Sequence, residues 1–161
     1  VTLVDQKTRY ANVQIETRMD PDLPPFWASA TELQQVFLNL LNNSVDAMTS
    51  SGGIIRISTQ TSDGQIILTI ADNGIGIAEA NLARIFDPFY TTKPVGQGTG
   101  LGLSICYGII KKLGGDIQVR SAKGRGTTFT ISLPMARDER GGVAPDRRSE
   151  SETNEDVFHT Q

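Results

Sequence analysis

The sequence predicts an α+β domain, a two-layer sandwich in which a mixed sheet is covered by helices on one face. Three observations carry this expectation. The elements follow one another as strand, helix, strand hairpin, helix, helix, strand hairpin, an order that demands antiparallel as well as parallel neighbours. Helices do not alternate regularly with strands, which argues against a doubly wound parallel sheet. The chain has 161 residues, 38% hydrophobic and 20% charged, enough for one core of ordinary size and too little for a second large domain.

Each element has a local reason. Residues 10–18, YANVQIETR, alternate for part of their length and read as a strand, and the three prolines of DPDLPP end it. A short strand at Phe26–Ala28 is expected to follow. Residues 31–48 form an amphipathic helix, with Thr31 as its expected cap, Glu32 in its first turn and SSGG as its stop. Ile54–Gln60 and Gln65–Ala71 are two strand-like runs joined by TSDG, whose Asp-Gly pair favours a tight hairpin turn. A short helix over Ala78–Ile85 precedes a stretch at 86–100 rich in Gly, Thr and Pro. LGLSICYGIIKKL, 101–113, is a helix with lysines in its last turn and Gly114–Gly115 as its stop. Asp116–Ser121 and Thr127–Leu133 flank the turn AKGRG as a second hairpin.

Composition removes several function classes. Residues 1–134 carry 11 basic and 11 acidic side chains, while 135–161 carry 4 and 7, so the net charge of −3 resides in that last segment. The body has no basic excess for a nucleic-acid backbone. One cysteine, Cys106, and one histidine, His159, make an internal disulfide or a Cys/His zinc site untenable, and Cys106 and the adjacent Tyr107 are expected to serve packing. No apolar run approaches the ~20 residues that span a bilayer, and the first residues lack a signal-peptide pattern. A cytoplasmic location without membrane contact is expected. From Met135 onward apolar residues are sparse and no period persists, which reads as a disordered acidic tail.

Three constellations carry chemistry. On a helical wheel with Leu33 at 0°, Val36, Phe37, Leu40, Leu41, Ala47 and Met48 fall within one apolar arc, and Asn39, Asn43 and Asp46 fall at about 240°, 280° and 220° along its border. Such asparagines either bond backbone and water or face a bound ligand. Asp72-Asn73-Gly74-Ile75-Gly76-Ile77 follows a strand. It is either an ordinary turn or a loop in which Asp72 accepts from an exocyclic amine while the glycines let the backbone approach closely. The run 96–104, GQGTGLGLS, enters a helix whose first amides suit a phosphate. It lacks the GK[ST] ending of a Walker loop and the preceding strand of a dinucleotide fingerprint. Lys93, nearby, is either a phosphate counter-charge or merely solvated.

Together these segments resemble sensor histidine kinases. NLLNNSVDAM (39–48) is similar to their N box, DNGIGI (72–77) to their G1 box, IFDPFYTTK (85–93) to their F box and GTGLGLS (98–104) to their G2 box, in the family's order and spacing. GRGTTFTISLP (124–134) resembles the hairpin that closes the catalytic domain. The FYTTK and VDAM forms resemble the nitrogen-regulation sensor subfamily. The resemblance implies a Bergerat-type ATP-binding fold over 10–134, with 1–9 a linker remnant from a preceding helical domain. It implies ATP and Mg²⁺ as ligands, Asp72 on the adenine amine, Asn43 on the metal, and Asn39 at the metal–phosphate site. Gly74, Gly76 and Ile77 would shape the nucleotide pocket, and Gly98, Thr99, Gly100, Leu101 and Gly102 the phosphate end of a lid over 86–100. Thr127 would approach the adenine side, with Asp46 and Lys93 also near the nucleotide.

Two departures shape the implied mechanism. Related gyrase-type, chaperone and mismatch-repair ATPases carry a water-activating glutamate where this chain has Asn39. An amide is no general base, so the implied chemistry is phosphoryl transfer to an external nucleophile rather than hydrolysis. The family's acceptor histidine lies on a helical dimerisation domain, and residues 1–9 contain none. The expected partners are therefore that phosphoacceptor domain and, indirectly, a response regulator, with this fragment a monomer by itself. An anti-sigma-type serine/threonine kinase or a non-enzymatic nucleotide-binding module on the same fold is the alternative.

Overall fold

The alternation seen in the strand runs becomes a five-stranded sheet with one buried face. The computed structural model describes residues 12–48, 52–94, 96 and 98–135. Strand β1 (Val13–Arg18) pairs in parallel with β2 (Gly53–Ser62), and the 17-residue helix α1 (Ala30–Asp46) connects them. Strand β3 (Gln65–Asp72) returns antiparallel to β2 through Asp63 and Gly64, both at positive φ, 50° and 74°, the turn geometry that Asp-Gly favours. After the single-turn helix α2 (Glu79–Leu82), helix α3 (Gly102–Lys112) leads to β4 (Asp116–Ser121) and β5 (Thr127–Pro134). The spatial order is β1-β2-β3-β5-β4, with only the β1–β2 pair parallel.

Cross-strand register builds the core in rows. Ile57, Ile70 and Phe129 stand opposite one another on β2, β3 and β5, and Leu68 and Ile131 form the next row between β3 and β5. Above them lie Val36, Leu40, Val45 and Met48 of α1 and its end, with Cys106, Ile109 and Ile110 of α3. Burying each such side chain is worth ~1.5–3 kcal/mol, and truncating Leu40 to alanine should lose ~2–5 kcal/mol. Cys106 is a packing residue as expected: its thiol contacts the Val36 carbonyl at 3.7 Å, and burial pushes its pKa up to about 11. Helix α3 stops as the paired glycines require, Gly114 N–H donating to Lys111 O and Gly115 N–H to Ile110 O, both at 3.0 Å.

Two local expectations are corrected. Phe26–Ala28 is not a strand. Pro24 and Pro25 remove two backbone donors just ahead of it, and the segment joins neither edge of the sheet. The cap of α1 is Ser29, not Thr31: its Oγ accepts from Glu32 N–H at 3.3 Å. The Ser-x-x-Glu spacing of a capping box identifies Ser29 better than periodicity does. The expectations for 1–9 and for 136–161, His159 included, lie outside the described residues. Met135 packs against the core, and its N–H donates to Gly64 O at 3.3 Å. Among the described residues no helix is long and apolar enough to cross a membrane.

Candidate functional site

A cleft of about 800 Å³ is lined by the polar edge of α1, the turn after β3, the irregular segment beyond α2 and the start of α3. Its most buried ionisable group is Asp72, 9% exposed, at the end of β3 and in register with Thr127 of β5. Gly74 N–H donates to Asp72 Oδ1 at 2.9 Å and Thr127 N–H to the same oxygen at 3.2 Å. Neither bond uses Oδ2. Burial pushes the Asp72 carboxyl above the usual carboxylate range, opposed by the Gly74 N–H, the Ser44 hydroxyl and the Thr127 N–H. Ser44 Oγ is wholly buried and lacks a hydrogen bond of ordinary length and angle in spite of that electrostatic contact.

The turn after Asp72 is held from both sides. Ile75 N–H donates to Ala47 O at 3.0 Å, just beyond α1, and Gly124 N–H donates to Ile75 O at 2.7 Å from the β4–β5 turn. Gly76 takes φ +68°, and a Cβ there would run into the Ala122 carbonyl, so only glycine fits. Ile77 N–H donates to Ser121 Oγ at 2.8 Å, and its half-buried side chain packs on the core.

The polar edge of α1 is realised as the wheel describes. Asn39 Nδ2 donates to Gly102 O at 3.1 Å, tying α1 to the first turn of α3. One turn on, Asn43 Oδ1 accepts from Lys93 Nζ at 3.3 Å and Asp46 Oδ2 from the same ammonium at 2.6 Å. At the far side, Thr99 Oγ1 accepts from Leu101 N–H at 3.3 Å. Gly100 takes φ +67° with its α-carbon against the Phe89 backbone, where a Cβ would collide. No side chain caps the N-terminus of α3, so its first amides are available to an anion.

Of the residues singled out in the sequence, Asn39, Asn43, Asp46, Asp72, Gly76, Ile77, Lys93, Gly98, Thr99, Gly100, Gly102 and Thr127 line one cleft. Gly74 and Leu101 do not: Gly74 stands behind Asp72 as a donor, and the Leu101 carbonyl accepts from Ser104 Oγ at 2.9 Å within the α3 entry. Sequence reasoning missed Ser44, Tyr90 and Phe129. Ser44 was detectable, because its wheel position, about 20°, is the middle of the apolar arc, where a hydroxyl is out of place. Tyr90, beneath the Arg84 guanidinium at 4.5 Å, and Phe129, on the inner sheet face, gave no comparable signal.

The cleft therefore combines a buried carboxyl and the Ser44 hydroxyl beside it with an uncapped helix N-terminus, and oxygen donors already holding a cation lie on its α1 edge. Among the described residues no three His, Cys, Asp or Glu side chains cluster as a metal cage. Asn43 Oδ1 and Asp46 Oδ2 are hard oxygen donors and hold the Lys93 ammonium. Of the two, Asn43 is the donor that fits a Mg²⁺ ion keeping water and phosphate oxygens as its other ligands, with Asp46 as the partner of the ammonium.

Residues 28–137 match the family model described as histidine kinase-, DNA gyrase B- and HSP90-like ATPase. The chain is 45% identical over 136 residues to the signal transduction histidine-protein kinase AtoS of Escherichia coli (strain K12), covering 84% of this chain and 22% of that protein. It is 37% identical over 135 residues to sporulation kinase E of Bacillus subtilis (strain 168), covering 84% and 18%. The nucleotide-free catalytic domain of the histidine kinase ThkA superposes with a TM-score of 0.70 at 32% identity, over 83% of this chain and 86% of that one. Full-length ShkA in complex with AMPPNP superposes with a TM-score of 0.74 at 28% identity, over 85% and 28%. The chain spans less than a third of the length of these curated relatives.

Proposed function

Since the chain belongs to the histidine kinase-, DNA gyrase B- and HSP90-like ATPase family and has the ATP-binding catalytic domain of sensor histidine kinases, we propose that its cleft binds Mg·ATP and presents the γ-phosphoryl group to a histidine on a separate helical phosphoacceptor domain. The observation that carries the reading is the convergence of four sequence segments, 39–48, 72–77, 85–93 and 98–104, on one cleft. Asp72 accepts the adenine amine through the oxygen that Gly74 and Thr127 leave unused. Ser44, whose hydroxyl faces the same carboxyl, lies on the same edge of the base. The first amides of α3 receive the phosphates, and Asn39 holds that helix end in place through the Gly102 carbonyl. Asn43 is the side chain that would hold Mg²⁺, which when bound neutralises charge on the phosphates.

Among the described residues, the α1 position beside the start of α3 is Asn39, an amide that cannot activate water. The site therefore suits donation to an incoming imidazole better than hydrolysis, since the nucleophile brings its own lone pair and needs only in-line placement. The test mixes the chain with labelled ATP and a helical domain carrying the acceptor histidine. Acid-labile, alkali-stable phosphate on that domain, lost when its histidine is replaced, is the expected result. Acid-stable phosphate on serine or threonine would instead identify a different acceptor class.

A further inference from the structure

Lys93 occupies the cleft in a specific way. Its ammonium lies 2.6 Å from Asp46 Oδ2 and 3.3 Å from Asn43 Oδ1, and both side chains of the ion pair are about two-thirds buried, 34% and 28% exposed. The stem is held as well. A Cβ on Gly98 would lie 3.1 Å from Lys93 Cδ and 3.3 Å from its Cβ, so the irregular segment entering α3 rests directly on the lysine's methylenes. Lys93 N–H donates to Thr91 Oγ1 at 3.1 Å, which fixes the turn that aims the side chain. The lysine thus links segment 90–94 to α1 from above while segment 98–100 leans on it.

We infer that Lys93 is an internal place-holding cation, a latch that closes segment 90–94 onto α1 in the nucleotide-free domain and must be displaced before Mg·ATP can enter. This rests on the reading of the cleft as a nucleotide site. The ammonium sits on Asn43 Oδ1, the donor a divalent ion would use, and that ion would bind oxygen at ~2.1 Å. Ammonium and dication repel strongly at such separations and cannot share the position. Entry of the nucleotide exchanges one cation for another on Asn43 Oδ1 and frees the Lys93 charge for the phosphates. In the nucleotide-free domain the latch neutralises Asp46 and occupies Asn43 Oδ1.

The latch predicts opposite signs at its two ends. Asp46→Asn removes the latch but leaves the ammonium available, and Lys93→Met removes both. In the full chain without nucleotide, amide exchange over 90–94 should accelerate about two- to fivefold in each variant, as expected for a partly screened ion pair. By linkage, Asp46→Asn should tighten binding of Mg²⁺ with a non-hydrolysable ATP analogue by a similar factor, measured by calorimetry. Lys93→Met should weaken it. Unchanged exchange in both variants overturns the latch. Weakened binding in Asp46→Asn also overturns it, because Asp46 would then contact the nucleotide or metal directly. A wild-type chain that bound no adenine nucleotide would remove the reading of the cleft itself, while the exchange measurement would still decide whether the ion pair ties the segment down.

Discussion

Replacing Asp72 by asparagine should separate binding from folding. In the wild type, Oδ1 takes both backbone donors, Gly74 N–H and Thr127 N–H, so an asparagine there keeps its oxygen in that position and turns its Nδ2 toward the place of Oδ2. The adenine amine then meets a donor instead of an acceptor. A hydrogen bond to a charged acceptor is worth ~1.5–3 kcal/mol, which corresponds to a ~10- to 100-fold rise in Kd. At a nucleotide concentration 100 times the wild-type Kd, ligand stabilisation should fall from ~2.7 kcal/mol to ~0.4–1.4 kcal/mol. The unliganded fold should move the other way. The Asp72 pKa is raised in the folded state by burial, so its ionisation favours unfolding, and that contribution to stability, present at low pH, is lost as pH rises through the raised pKa. Asparagine removes the penalty, so the empty variant should melt no lower than wild type at neutral pH. Calorimetric titration and thermal melts with and without Mg·ATP read both effects. Wild-type affinity should also decline as pH falls through that raised pKa, and the variant's affinity should not. A variant binding within about threefold of wild type, or melting well below it when empty, would refute the assignment of Asp72 to the adenine.

Ser44→Ala should raise the Asp72 pKa further, since the Ser44 hydroxyl is one of the groups that hold that carboxyl down, and weaken nucleotide binding by ~1 kcal/mol; the pH dependence of binding and thermal shifts with and without ATP test both. Gly76→Ala should destabilise the fold by more than ~1 kcal/mol, because φ +68° and the Ala122 carbonyl both oppose a side chain, as a denaturant titration would show. ATP hydrolysis by the chain alone should be slow, as general-base assistance is typically worth ~10²–10⁴-fold and Asn39 offers none; phosphate release at a rate typical of an efficient ATPase would contradict this.

The sheet was legible because its signals are local. Alternating residues, Asp63-Gly64 and the Gly114–Gly115 stop each act within a few residues, and the strands and α3 fall close to where they were expected. Phe26–Ala28 was not, since a strand needs a partner and pairing is decided by the whole sheet. The polar strip Asn39, Asn43 and Asp46 was legible from helix geometry alone. What those side chains touch was not: the Asn39–Gly102 and Asp46–Lys93 contacts bridge 63 and 47 residues, and periodicity carries no information about such distances. Ser44 sits between these cases, visible as a polar residue at the centre of an apolar face, with the reason for it, Asp72, on another element.

The contacts that shape the cleft are also contacts that join the layers. Asn39 ties α1 to α3, Ile75 hangs the β3 turn on the end of α1, Asp72 joins β3 to β5, and Gly124 fastens the β4–β5 turn to Ile75. The adenine end is therefore cross-braced by elements that the core already fixes, and a ligand there meets preformed donors with little ordering to supply. The phosphate end differs. Tyr90 anchors the start of segment 90–94 on the core, while the rest of the segment is joined to α1 through one partly exposed ion pair and local turns, interactions that open at small free energy. On the proposed reading, a rigid base pocket beside a more easily released phosphate cover would let nucleotide identity be read before the γ-phosphate is enclosed. It also leaves that phosphate reachable from outside, as transfer to a nucleophile carried by another domain requires.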